Sequence, residues 1–461
     1  MNGSLSARGG TRRSARVGSG TGVRRWTLGI AVVGALLVTT LAAGGSAASA
    51  QAGQPAPPAA QGPLTPRLQA LVQADPGRVP VSTLSATVGL PADGAGSLLR
   101  HEGGTILIDI RVSDAGAIDQ AAAASGATVV ATSGPLATLA VRPANVGALA
   151  SVNGLVSASE VLTPEVSHTA RRAQEAPEAQ PNAVCPTGTV SQGDAQLRAA
   201  LARTNYSVDG TGVKVGVLSD SFDNKGGASA DVASGDLPGA SNPCGHTTPV
   251  NVLSDMSSGG TDEGRAMVQI VHDLAPSAQL LYATAFNGEL DFANQILALQ
   301  AAGANVIVDD VTYFAEPIYQ DGPIAAAINT VTAAGVSYFS SAANSTRTVG
   351  SKSIGSYEAP SYRPTACPSA VTAIATLVDC HDFDGGPGVS ATDDVTVDNG
   401  KFVKFNLGWS EPQYGVATNL DAFLINTTTS SVVAASTNIN SSTGKPYEFI
   451  NYTNSSGGSR T

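Results

Sequence analysis

The chain has 461 residues, enough for two or three domains, and carries 25 Lys and Arg against 36 Asp and Glu, a net charge of −11. That balance argues against nucleic acid as a partner, because phosphate binding needs clustered cations. Charged residues make up only 13% and hydrophobic residues 42%, too apolar for a disordered chain, and 5% aromatic residues leave little for an aromatic binding surface.

Arg8, Arg12, Arg13, Arg16, Arg24 and Arg25 precede an apolar run from Leu28 to Ala43, and Ala48-Ser49-Ala50 places small residues at −3 and −1 of a cleavage site. Together these predict a secretory signal peptide over 1–50 and an extracellular product, free of the membrane once cleaved. The apolar run is short for a span. Residues 51–103 read as a Pro/Ala-rich linker and pro-segment.

From Gly104 the pattern predicts a strand at Thr105–Val112, a helix at Ala115–Ala124, and strands at Ala127–Thr132 and Leu136–Val141. A short helix at Asn145–Val152 and a strand at Leu155–Val161 complete β-α-β-β-α-β, a ferredoxin-like α+β domain over 104–162. The polar stretch 163–190 contains Arg171-Arg172 and reads as a linker, either cut on maturation or left as a tether.

After Gln192 the rhythm becomes α/β: a helix at Asp194–Arg203, then strands at Val213–Leu218, Gln279–Ala283, Asn305–Asp310 and Val336–Ser341. Helices at Glu263–Val271, Glu289–Ala302 and Ile324–Ala334 fall between them. Strands that are apolar throughout, alternating with helices, predict a doubly wound parallel sheet over 191–381. Ligand sites in such sheets lie beyond the carboxyl ends of the strands. Asp220, Asp309-Asp310 and Asn344 all fall there.

Beyond Asp382 the texture is all-β, with strands at Val395–Val397, Phe402–Leu407, Leu420–Ile425 and Val432–Ala435. Residues 382–461 therefore read as a β-sandwich or jelly-roll-like module. Cys185, Cys244, Cys367 and Cys380 form no C-x-x-C pair, which argues against zinc and thioredoxin-like chemistry, and the even count predicts two disulfides. Cys367–Cys380 would close a short loop and Cys185–Cys244 would staple the start of the α/β domain, but three pairings stay open.

Four residues carry candidate chemistry. Glu263 opens a helix on which Met267, Ile270, Val271 and Leu274 follow at +4, +7, +8 and +11, a stripe expected to face the sheet and aim the carboxylate inward. Asp220 ends a strand in Leu218-Ser219-Asp220-Ser221-Phe222-Asp223; a carboxylate there can orient a base and stabilise its charge, with Asp223 in reserve. Asn344 ends Ser340-Ser341-Ala342-Ala343-Asn344, and Asp310 sits where it could share a proton with Glu263. His272 lies half a turn round the helix from Glu263 and is expected to face away, and His246 reads as a surface residue.

The order of strand Asp, helix-borne base and strand-end Asn resembles the subtilisin/sedolisin superfamily of secreted serine peptidases. Subtilisins place His-Gly-Thr where this chain has Glu263-Gly264-Arg265, whereas sedolisins use a Glu base. Sedolisins add an Asp four residues after that Glu, which here is Met267, making Asp220 the expected partner.

The resemblance implies peptide hydrolysis through an acyl-enzyme, with Glu263 as base, most naturally at acidic pH, Asp220 as orienter and Asn344 donating to the oxyanion. It also implies that the ferredoxin-like domain is an inhibitory propeptide and that the partners are protein or peptide substrates. The Gly-Thr-Ser-x-x-x-Pro nucleophile motif of both families is absent from these residues, so the chain is expected to be truncated and inactive as it stands. A noncatalytic secreted binding protein on a decayed peptidase fold is the rival reading. No cofactor is expected, and a Ca²⁺ site built from backbone carbonyls would leave no trace in the sequence.

Overall fold

The computed structural model describes residues 29–34 and 62–461, apart from 75–76, 78, 167–184, 186–187, 344–347, 350–351 and 354. The segment read as a ferredoxin-like domain forms an antiparallel sheet. Strands β1 (Thr105–Val112), β2 (Thr128–Ser133), β3 (Leu136–Val141) and β4 (Leu155–Glu160) pair antiparallel in the order β4-β1-β3-β2, with helix α1 (Gly116–Ser125) between β1 and β2. The second helical segment, Pro143–Ser151, is 3₁₀ rather than α. Two helices not expected from sequence, Pro66–Gln73 and Val81–Thr87, precede the sheet. Leu68, Leu71 and Leu84 are fully buried, so part of the presumed linker belongs to this domain.

A two-residue strand, β5 (Glu165–Val166), leaves the domain. The next described elements lead into a parallel sheet of β6 (Lys214–Ser219), β7 (Asn251–Ser254), β8 (Gln279–Thr284), β9 (Val306–Asp309) and β11 (Ser337–Ser340). Between β9 and β11 lies the short β10 (Val311–Thr312). The order β11-β9-β6-β8-β7 puts β6 at the centre. Helices α2 (Glu263–Leu274), α3 (Glu289–Ala301) and α4 (Pro323–Ala333) connect the strands.

Val217 and Leu218 are fully buried, but they feed different cores: Val217 packs with Val268 and Tyr282, and Leu218 with Phe292 and Ile296. That is a sheet covered on both faces. β7 was not legible in the sequence because its Asn251–Ser254 is mostly exposed at the sheet edge and lacks a buried apolar run.

The helix expected at Asp194–Arg203 breaks in two, Gln192–Gln196 and Ala199–Tyr206, at Arg198, which adopts a left-handed φ of 57°. The break brings Arg203 back to Asp194 at 2.6 Å and lets it donate to the carbonyls of Asp273 (3.1 Å) and Leu274 (3.0 Å). A cation there satisfies the open carbonyl end of α2. Both disulfides form, Cys185–Cys244 and Cys367–Cys380, with Cα separations of 5.5 and 4.9 Å.

The β-rich module contains β12 (Asp379–His381), β13 (Phe402–Gly408), β14 (Leu420–Asn426), β15 (Ser431–Ser436) and β16 (Tyr447–Thr453). β13 and β16 pair as one ribbon, and β14 pairs with β15 in a second sheet. β12 belongs to that second sheet, so the module reaches back beyond the expected boundary at 382. The strand Gly29–Gly34 lies between β12 and β14. Among the described residues no helix is long and apolar enough to cross a membrane.

Candidate active site

The carboxyl end of β6 and the first turn of α2 build the site. Ser219 is fully buried, and its Oγ donates to the Glu263 carboxylate. Asp220 is spent differently. Its carboxylate accepts from the backbone N–H of Glu263 (3.0 Å) and of Thr261 (2.5 Å) and from Thr261 Oγ1 (2.6 Å), which ties the start of α2 to the end of β6. The expectation that Asp220 orients the Glu263 side chain is therefore corrected: the residue touching that carboxylate is Ser219. Neighbouring residues along a strand point to opposite sides, so a one-position shift exchanges the two roles.

Asp223, the reserve candidate, accepts from Gly227 N (2.7 Å) and Ala228 N (3.0 Å) and meets Arg265 at 3.4 Å, away from Glu263. Asp262 stands at the N-terminal end of α2. It is buried at φ 63°, and its carboxylate accepts from Ser221 Oγ (2.8 Å), Asn224 N (2.7 Å) and Lys225 N (2.9 Å). These bonds brace the 221–225 turn just beyond Ser219.

Helix α2 seats on the sheet one residue round from expectation. Its buried line is Gly264, Val268 and His272, while Ile270 is 47% exposed. The cause is Gly264: a Cβ there would stand 2.4 Å from Tyr282 Cε2 and 2.9 Å from the Ser221 carbonyl oxygen. With only hydrogen at that point, the helix settles onto the Tyr282 ring and Glu263 lies at the edge of the contact. Gly264→Ala is expected to destabilise the fold by about 2 kcal/mol, overpacking outweighing the helix-propensity gain of about 1 kcal/mol. Denaturant midpoints of the two proteins check this; an Ala variant as stable as the parent would show that the contact yields.

The same rotation buries His272, which was expected to face away. Its ring meets that of His246 edge-on at 5.1 Å. Burial, reinforced by the His246 charge and opposed by Asp236, pulls its pKa down to about 4.

Burial pushes the Glu263 carboxyl up to about 7; the Ser219 hydrogen bond works against this, and the charges of Asp310 and Asp220 add to it. The part Asp310 plays in this shift is that of its charge. Asp309 is buried beside it, accepts from Ser340 Oγ (2.9 Å), and is also raised, chiefly by burial. Glu316, which no sequence signal marked, is raised to about 7 by burial and the Asp309 charge. Asn344 lies outside the described residues.

Immediately after Asp310, β10 pairs antiparallel with β5, Val311 opposite Val166 and Thr312 opposite Glu165. An extended backbone therefore already lies across the strand ends beside Asp310. Among the described residues no group of three or more His, Cys, Asp or Glu is arranged to hold a metal ion.

No protein-family model matches the chain, and no curated protein matches it. Among solved structures it is similar to fervidolysin from Fervidobacterium pennivorans, a keratinolytic enzyme related to subtilisin. Identity is 13% over 56% of this chain and 43% of that one, with a TM-score of 0.30. It is also similar to the epidermin leader peptide processing serine protease of Staphylococcus aureus, at 13% identity over 44% of this chain and 50% of that one, with a TM-score of 0.24. The chain thus matches half or less of the length of either protein. Likeness at this level does not decide function, which has to be argued from the site.

Proposed function

We propose that this chain carries the base side of a serine-endopeptidase site of subtilisin/sedolisin type in an exported protein, with residues 1–50 as its leader. Glu263 is the general base, Ser219 positions its carboxylate, Asp310 tunes it, and Asp220 fixes the helix from which it projects. Asn344 is assigned to the oxyanion. The nucleophile is a serine supplied by sequence beyond Thr461.

In the reaction that serine attacks the scissile carbonyl, its proton passes to Glu263, and the tetrahedral oxyanion accepts from the Asn344 amide. Glu263 then returns the proton to the leaving amine. Water repeats the sequence to release the acid.

The observation that carries this reading is one juxtaposition. A half-buried carboxyl lifted to about 7 and held by Ser219 shares the strand ends with an extended peptide, Glu165–Val166, seated on β10 beside Asp310. That peptide is the exit strand of the ferredoxin-like domain, which is accordingly read as a propeptide lying over its own substrate track.

One observation favours the noncatalytic binder instead: the hydroxyl bonded to Glu263 belongs to Ser219, which is fully buried and out of a substrate's reach. Casein hydrolysis separates the two. Protein extended through its own reading frame past Thr461 is expected to cleave casein, and the 461-residue chain alone is not. A stop codon directly after Thr461, with a folded, exported and inert product, would overturn the peptidase reading.

A further inference from the structure

Helix α2 buries a second polar group that the hydrolytic site does not use. His272 is 2% exposed, and neither of its ring nitrogens has a hydrogen-bond partner among the described residues. An imidazole brings two nitrogens that must be satisfied, and a buried one with both open points to an ion or water that completes it. The neighbour of His272 is a second imidazole. The His246 ring lies with its centroid 5.1 Å away and its plane turned by 87°. Two imidazoles that bind one tetrahedral ion through nitrogen, at about 2.0–2.1 Å each, have centroids about 5 Å apart. The two rings are already at that separation.

The backbone that carries His246 is fixed before any ligand arrives. Asn242 Oδ1 accepts from Cys244 N (2.8 Å) and His246 N (3.4 Å), and the His246 carbonyl accepts from Gly239 N (2.8 Å). Cys244, two residues ahead, is tied to Cys185. The chain that follows Cys185 is pinned to the same corner: Thr189 N donates to Asp236 (2.5 Å), and Ser191 N donates to Asp273 (2.6 Å), the residue after His272. The negative charge of Asp236 acts on the His272 ring, a field that favours a cation beside it. Held backbone and a field of the right sign are what a preorganised ligand pair requires.

We propose that His246 and His272 bind one divalent transition-metal ion of the Zn²⁺ or Cu²⁺ class, with water in the remaining positions, and so clamp the loop 239–246 to α2. Nitrogen donors select such ions over Ca²⁺ and Mg²⁺, which take oxygen. His272 is held in the contact between α2 and the sheet, so the half-buried His246 is the ring that turns onto the ion. The site lies nine residues along α2 from Glu263, about 13 Å at 1.5 Å per residue. At that distance the ion takes no part in proton transfer and acts as a clamp on the helix that carries Glu263. This stands apart from the hydrolytic reading, because its test measures metal binding and is the same for an inert chain.

The test takes the 461-residue chain, free of any histidine tag and stripped with chelator, and titrates it with Zn²⁺ by calorimetry and with Cu²⁺ by electron paramagnetic resonance. The parent is expected to bind one ion per chain, to melt several degrees higher in excess Zn²⁺, and to show coupling of Cu²⁺ to two imidazole nitrogens. Excess Ca²⁺ should not compete. His246→Gln and His272→Gln are each expected to weaken binding at least about tenfold, since loss of a ligand costs no less than loss of its support, and to leave coupling to one nitrogen. His246, being half-buried, covers the case of a His272 variant that fails to fold. His101→Gln, remote from the pair in sequence, should bind as the parent does. No saturable binding of either ion, or affinity and nitrogen coupling unchanged in His246→Gln, would overturn the proposal.

Discussion

Glu263→Gln, in protein that carries its nucleophile, is expected to lower kcat/KM for peptide hydrolysis by about 10³-fold, within the range a positioned general base contributes. Gln has nearly the same shape and can still accept from Ser219 Oγ, so the loss is that of the proton acceptor. The pH profile gives the finer test. A base acts when deprotonated, and burial lifts this carboxyl to about 7. Activity of the parent should therefore rise through pH 7 and be low at pH 5. That moves the working range from the acidic conditions expected of a Glu base toward neutrality. Ser219→Ala removes the one hydrogen bond opposing the upward shift, so its limb should move to higher pH. A Gln variant that keeps parental rates, or a limb indifferent to Ser219, would remove Glu263 from the role of base.

How much of this was legible beforehand follows the physics of each signal. β6, β8 and β9 are apolar through their length because both faces are covered, and such runs are visible without any partner. β1 to β4 were legible from alternation and turn residues.

The site was half legible. Glu263 and Asp310 could be nominated because residues at strand and helix ends project into the crevice. Ser219 could not be ranked above Asp220, since a carboxylate is chemically the better orienter and only the strand's register decides which one faces α2. The helix stripe was misjudged because its seating depends on Gly264, which scores as nothing in an apolar pattern yet permits the closest approach to Tyr282. His272 was misplaced by the same rotation. The contact of β10 with β5 joins residues as far apart as Val166 and Val311, and no local pattern encodes that; Glu316 is marked only by its burial in the fold.

The folded chain is expected to be most stable near pH 4 and to lose stability from there to pH 8. Six carboxyls govern the fall. Burial raises Glu263, Glu316 and Asp421 to about 7, Glu289 and Glu448 to about 8 and Asp273 to about 6, against ordinary values of 4.5 for Glu and 3.8 for Asp. A raised pKa means that the folded chain holds a proton the unfolded chain has released. The stability this contributes is complete below about pH 4 and is lost as pH climbs through the folded value, between about 4 and 8.

Two groups act in the opposite sense on the acid side. His272, pulled down to about 4, must be protonated at a cost as pH falls from 6.5 toward 4. Asp262 is held below its ordinary value: burial works against this, but hydrogen bonds from Ser221, Lys225 and Arg265 prevail. Its contribution is present above pH 3.8 and disappears below. A single histidine weighs little against six raised carboxyls, so the maximum lies near pH 4.

Each pKa unit of difference between folded and unfolded chain is worth about 1.4 kcal/mol, so a single carboxyl raised by two units weighs about 3 kcal/mol. That is a large part of a usual net stability of about 5–15 kcal/mol. Thermal melts from pH 4 to 8.5 should show a fall on the order of 5 °C or more above pH 5.

Glu263→Gln then links stability to function. It removes one of the six ionisations, so at pH 8 the inactive variant should melt higher than the parent, while at pH 4.5 the two should coincide. Gain of stability with loss of activity at one residue is the behaviour of a group kept at a cost for its chemistry. A variant destabilised equally at both pH values would instead make Glu263 a packing residue.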